Sequence, residues 1–318
     1  MTSKAITSGL CTLLALVLFT GCGPSKMQVI FDTDANNELD DQHALAYLLF
    51  NDDTFETLGV TVNATFNGGD IDGHFDEAQR VMRLCDKKSI PLIKGANANF
   101  EAIRAQLGQS TYDGSEAVDF IISSAKRGKV ILLAVGKLTN VALAVEKDPS
   151  IIPNIRLVWL GANYPSPGEY NLVNDIPSMN YLLDTDIHFE MVTVRYGEPS
   201  GTDAVKVTPE DIASRLAGKG PQIDPPVEKN GTTFNQFGDY AVSLFEEIEL
   251  YGDPPGRALF DMAAVAIVKN PNWATSKWIP SPTMQLGAWV NRPDNARQML
   301  IWENFQKEAI LEDFYQSF

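Results

Sequence analysis

The chain has 318 residues, of which 44% are hydrophobic and 21% charged, with a formal net charge of −16. That balance is ordinary for a globular protein, and the length suits one large domain or two small ones. The strongly acidic sum argues against nucleic acid and anionic membrane surfaces as partners.

In chain order, residues 1–21 read first as a targeting segment. Lys4 supplies a positive charge, and Leu10 to Phe19 form an apolar stretch too short to span a bilayer as a helix. Phe19-Thr20-Gly21-Cys22 resembles a bacterial lipoprotein box, with Phe where Leu is usual and Cys22 as the acylated first residue. Residues 22–26 are then a tether, and the expected location is extracytoplasmic, with the membrane engaged only through the lipid at Cys22. Cys11 leaves with the signal, so Cys85 has no internal partner. It sits at helical core spacing with Ala78, Val81 and Met82, where a free thiol packs as a small hydrophobe.

Next comes the densest chemical feature. Met27–Phe31 reads as a buried strand, and the run Asp32-Thr-Asp-Ala-Asn-Asn-Glu-Leu-Asp-Asp41 follows it with five carboxylates. Like charges so close repel unless a cation holds them. Asp34, Asp40 and Asp41 therefore read as hard oxygen ligands for a divalent metal, Ca²⁺ before Mg²⁺ if most ligands come from protein. A strand ending in such a loop puts them at the carboxyl edge of a sheet, where α/β proteins build sites.

Further strand-like runs are Thr57–Val62, Ile90–Ile93, Val130–Val135, Ile155–Leu160 and Phe189–Val194. Helical patterns alternate with them at Asp41–Phe50, Asp76–Cys85, Ser115–Lys126, Asn140–Glu146 and Ser178–Asp184. This rhythm predicts an α/β fold, a mostly parallel sheet with helices on both faces. Asp184-Thr-Asp186 repeats the first acidic motif but follows a helix, so it reads as a loop. Gly218–Pro226 is a long surface connection within one domain, residues 27–318, ahead of a more helical C-terminal third with helices at Tyr240–Tyr251 and Met262–Val268.

Three later segments place polar groups after strands or at helix starts: Gly136-Lys-Leu-Thr-Asn140, the loop from Leu160 through Asn163, Glu169 and Asn171 to Asp175, and Phe260-Asp261. Together with the acidic loop, this set resembles the inosine-uridine preferring nucleoside hydrolase family over nearly the whole chain from Met27. Two more residues stand between Asp34 and Asp40 than the common family spacing, which marks a divergent branch. The resemblance implies hydrolysis of the N-glycosidic bond of ribonucleosides with a tightly held Ca²⁺, in a homo-oligomer that is commonly a dimer or tetramer. It implies Asp34, Asp40, Asp41, Asp261 and the Val135 carbonyl as calcium ligands, and Asn163, Glu169, Asn171 and Asn67 (with Asn63 its competitor) as sugar-binding residues. Asp40 and Asp261 would also meet the sugar. The chemistry is consistent with this: anionic surroundings suit an oxocarbenium-like transition state, and Asp34 is placed to take the proton of an attacking water.

The family's best-known members carry His before the last calcium Asp, and this chain has Phe260. His43 and His188 read as structural, and His74 as a loop residue near the crevice. Candidates for the leaving-group acid are Tyr164, Tyr170, Tyr240 and Asp113. Two other readings compete. One is a nucleoside- or sugar-binding lipoprotein without catalysis, which Phe260 permits. The other is a haloacid-dehalogenase-like phosphatase with Asp32 as nucleophile, for which Val130–Val135 lacks the required Ser or Thr.

Overall fold

The computed structural model describes residues 25–318; the targeting segment and Cys22 lie outside the described residues. Apolar residues alternate along the central strands, and each parity serves a different helix layer. In β1 (Met27–Thr33), Phe31 enters one core and Ile30 the other. In β4 (Val130–Ala134) Leu133 and Leu132 divide in the same way, and in β5 (Ile155–Leu160) Val158 and Leu157 do. Both faces are buried, as parallel strands require.

The chain runs β1, α1 (Leu39–Phe50), β2 (Phe55–Val62), α2 (Ile71–Leu84), β3 (Leu92–Lys94), α3 (Phe100–Arg104), α4 (Ser115–Arg127), β4, α5 (Thr139–Lys147), β5, α6 (Tyr170–Asn174), α7 (Ile176–Leu183) and β6 (His188–Val192). After β6 come β7 (Lys206–Val207), α8 (Pro209–Leu216), β8 (Val227–Lys229), β9 (Thr232–Phe234), α9 (Phe237–Glu246), β10 (Arg257–Ala258), α10 (Phe260–Lys269), β11 (Thr275–Pro280), β12 (Thr283–Gln285), β13 (Ala288–Val290), β14 (Gln298–Glu303) and α11 (Lys307–Gln316). The main sheet has eight strands in the order β11-β14-β6-β5-β4-β1-β2-β3, all parallel except β11, which pairs antiparallel with β14. Helices α1, α2, α8, α9, α10 and α11 cover one face, and α3, α4, α5 and α7 the other. This is the predicted α/β architecture in a single domain.

The C-terminal third departs from expectation. It is less helical than the sequence suggests and supplies two strands of the main sheet. Helix α9 ends at Glu246 rather than Tyr251, whose backbone instead bridges to Gly256. Helix α2 starts five residues before the expected Asp76, because the Asp70 side chain caps the amides of Asp72 and Gly73. Asp184 and Asp186 follow α7 as a surface loop, paired to Arg292 and Arg297, and Cys85 is buried in the core.

Strand order reverses at the β1/β4 boundary, with β2 and β3 on one side and β5, β6 and β14 on the other. A crevice forms beyond the carboxyl ends of strands at such a point, since the connecting helices leave to opposite faces. Gly136 closes it tightly: a Cβ there would lie 2.8 Å from the Asn63 amide and 3.0 Å from Asp34 Oδ1.

Candidate active site

The crevice is a cavity of about 360 Å³ lined by the buried carboxylates Asp40, Asp41 and Asp261 and by the rings of Tyr170, Tyr196 and Phe260. Asp40 and Asp41 occupy the first turn of α1, and Asp261 the first turn of α10. The positive ends of two helix dipoles thus face the acids, the arrangement in which a helix tolerates buried negative charge. Carboxylate oxygens of Asp40, Asp41 and Asp261 all lie within 4.8 Å of one another.

Asp34 lies beneath these carboxylates, fully buried. Thr65 Oγ1 donates to its Oδ2 at 2.5 Å, while Oδ1 has no partner among the described residues. Thr33 Oγ1 donates to Asp41 at 2.6 Å. Burial pushes the Asp34 carboxyl up to about 7. Burial and then neighbouring negative charges hold Asp40, Asp41 and Asp261 well above the usual carboxylate range. The Val135 carbonyl lines the same cavity and accepts from Asn171 Nδ2 at 2.7 Å, which leaves a second lone pair. Hard oxygen donors, an orphaned buried oxygen and carboxyls raised by burial and by one another's charge together fit a divalent cation.

Asp32 behaves differently. Its carboxylate accepts from Thr61 Oγ1 at 2.5 Å, Asn63 Nδ2 at 2.7 Å and Asn140 Nδ2 at 2.8 Å. It ties β1 to β2 and α5 and is not part of the crevice lining. A phosphatase nucleophile must be free to attack, so that reading of Asp32 falls.

The expected sugar-binding residues separate into three groups. Asn171 and Glu169 line the cavity. Asn171 Oδ1 is buried without a partner, an acceptor available to a hydroxyl. The Glu169 carboxylate takes the amides of Asn171, Leu172 and Ala162 at 2.8–2.9 Å, so it holds the β5–α6 loop in shape as it faces the cavity. Asn67 stands exposed at the mouth, while its competitor Asn63 is buried on Asp32. Asn163 is not among the residues lining the cavity. Its Oδ1 accepts the Tyr196 amide at 3.0 Å and its Nδ2 donates to the Pro167 carbonyl, because the turn that follows β5 carries it away from the crevice.

Histidines are absent from the cavity lining. His43 is buried between Phe237, Phe245 and Phe314 with Nδ1 on the Leu39 carbonyl at 2.6 Å. His188 lies at the surface beside Glu190. His74 is buried with Nδ1 2.9 Å from the Asp34 carbonyl, and its ring packs on Gly68. Asn36 Nδ2 also donates to the Gly68 carbonyl at 2.7 Å, so the lengthened acidic loop is pinned to the β2–α2 loop.

Three of the four candidate acids also fall away. Tyr240 is bonded to Glu77, Asp113 accepts the Asn97 and Ala98 amides, and Tyr164 packs on Trp289 outside the cavity. Tyr170 does line it, and its hydroxyl accepts the Asn67 amide at 2.6 Å. The cavity is also lined by residues not assigned to it from sequence, among them Tyr196, Glu38 and Arg257. Arg257 pairs with Glu38, and Tyr196 meets Phe260 edge to face at 5.9 Å between ring centroids.

The family model described as inosine-uridine preferring nucleoside hydrolase matches residues 29–307. An uncharacterized protein of Schizosaccharomyces pombe is 26% identical over 212 residues, 60% of this chain; the chain spans 63% of that protein's length. The pyrimidine-specific ribonucleoside hydrolase RihB of Escherichia coli is 25% identical over 279 residues, covering 78% of this chain and 80% of that one. Among solved structures, a plant nucleoside hydrolase superposes with a TM-score of 0.70 at 16% identity, covering 92% of this chain and 99% of its own, a likeness of fold.

Proposed function

The chain belongs to the inosine-uridine preferring nucleoside hydrolase family, enzymes acting on N-glycosyl bonds, and from that premise we propose that it is a calcium-dependent hydrolase that splits ribonucleosides into free base and ribose. The observation that carries this reading is the buried trio Asp40, Asp41 and Asp261 at the floor of a cavity of about 360 Å³ at the switch point of the sheet, with the orphaned oxygen of Asp34 beneath it.

In this reading Asp34, Asp40, Asp41, Asp261 and the Val135 carbonyl hold the ion. Calcium, when bound, neutralises the cluster and supplies the charge that makes a water more acidic. Asp34 Oδ1 takes the proton of the water that attacks C1′. The remaining acids stabilise the positive charge that develops on the sugar. Asn171 Oδ1 accepts a sugar hydroxyl, Asp40 and Asp261 accept others, and Asn67 closes over the sugar from the mouth. Glu169 shapes the loop that presents Asn171. The Lys4, Leu10–Phe19 and Cys22 pattern supports an extracytoplasmic, lipid-anchored location, which loss of acylation in Cys22→Ala would test. A dimer or tetramer is the expected assembly, measurable by light scattering on the purified protein.

The deciding experiment is ribose release from a nucleoside panel with calcium and after chelation. Calcium-dependent release supports the hydrolase. Calcium-dependent nucleoside binding without release would support the second reading, favoured by Phe260 beside Asp261, of a binding protein that cleaves nothing.

A further inference from the structure

Cleaving an N-glycosidic bond leaves an electron pair on a base nitrogen, and that nitrogen needs a proton. A sugar at the carboxylate floor leaves the base to the other lining residues, among them Tyr196, Phe260, Ile248 and Arg257. Phe260 and Ile248 have no proton to give. Arg257 is paired to Glu38 and stays charged at any working pH. The Tyr170 hydroxyl accepts the Asn67 amide and lies beside Thr65 and Asp34, at the sugar end of the site.

Tyr196 remains, and several contacts hold it in place. Arg195 before it adopts left-handed backbone, φ 48°, a costly conformation for a residue with a side chain. Arg195 is fixed there by Glu303 at 2.6 Å, Ser200 at 3.0 Å and the Tyr164 carbonyl at 3.1 Å. The Tyr196 amide is held by Asn163 and the Gly197 amide by Asp203 at 2.8 Å. The ring stands edge-on to Phe260, in the wall between the cavity and an adjoining chamber of about 410 Å³. The side chain is half exposed (49%), and the partial desolvation of its hydroxyl, then the charges of Glu169, Asp40 and Glu38, hold the phenol above its ordinary value and protonated.

We infer that the Tyr196 hydroxyl is the proton donor to the departing base, an assignment that rests on the hydrolase reading above. As the C1′–N bond breaks, its electron pair passes to the base nitrogen, which takes the Tyr196 proton. Water oxygen bonds to C1′ and its proton goes to Asp34. Asp34 then releases its proton to solvent and the phenolate takes one back, so the sum is nucleoside plus water to ribose plus base. Asn163 is a positioning residue in this scheme.

The test compares uridine and inosine with 4-nitrophenyl riboside, whose phenolate leaves without a proton. Tyr196→Phe should lower kcat on the nucleosides by about a hundredfold or more, the usual worth of a general acid. KM and calcium affinity should hold within about threefold, and nitrophenyl riboside turnover should stay near wild type. Asn163→Ala should show the same selectivity at about a tenth of the size. Equal losses on both substrate types, or no loss on nucleosides, would overturn the assignment. Wild-type protein that cleaves the nitrophenyl riboside but no nucleoside would also overturn it while leaving a glycosidase in place. Wild-type protein that cleaves neither would instead remove the hydrolase reading itself.

Discussion

Asp32 and Asp34 stand two residues apart at the end of one strand, both fully buried, and they belong to different chemical worlds. Three donors from β2, its following loop and α5 saturate Asp32. Asp34 has one donor, an unpartnered oxygen, and three more acids close by. A saturated buried charge is a structural joint, whereas an unsaturated cluster is a demand for a ligand. The same residue type in the same strand serves opposite purposes, and the partners alone decide which.

The sharpest way to separate the two is to remove one acid from each. Asp261→Asn should lower nucleoside cleavage on the order of a thousandfold, a few kilocalories of transition-state stabilisation. It should also weaken calcium binding, measured by calorimetry, yet leave the metal-free fold as stable or more so, since one like charge is gone. Asp32→Ala should do the reverse. Leaving three donors stranded should cost about 3 kcal/mol or more in urea denaturation, while the folded fraction keeps calcium affinity near wild type. If Asp32→Ala abolished calcium binding in folded protein, the distinction drawn between the two aspartates would fail.

Acid provides a gentler probe. Burial raises Asp32 to about 6 and Asp34 to about 7, both from an ordinary 3.8. A carboxyl raised on folding contributes stability that is fully present below its unfolded value and is lost as pH rises through its folded one. Metal-free protein should therefore gain stability as pH falls from about 7 toward about 4. Calcium should flatten or invert that slope, because the ion favours the ionised cluster. Denaturation midpoints across that range, with and without chelator, check it. Smaller still is the effect expected at the sugar end. Asn171→Leu removes the orphaned acceptor and should raise KM about tenfold, and Asn67→Ala at the open mouth about threefold or less.

The acidic loop was readable because charge density after an apolar strand has few physical explanations. The βαβ body was readable because strands buried on both faces carry unbroken apolar runs. The C-terminal strands were not. β11 is an edge strand with Thr275 to Trp278 exposed, so its pattern carries no core signal, and β14 sits far from its neighbour β6 in sequence. Asn163 looked like a site residue by position in its loop, but the turn following β5 spends its amide on backbone. Tyr196 was invisible for the opposite reason. It lies in a polar loop with no periodicity, and only its place just after β6, at the same end of the sheet as the acidic loop, could have pointed to it.

Strand β1 also gives the molecule a direction. Its seven residues, Met27 to Thr33, run from the pole where the described chain enters to the pole where the carboxylates gather. At about 3.3 Å per residue the two poles are separated by roughly 20 Å of strand. An attachment at the amino end, whether a lipid, an affinity tag or a sensor chip, would therefore hold the protein at the pole opposite the crevice.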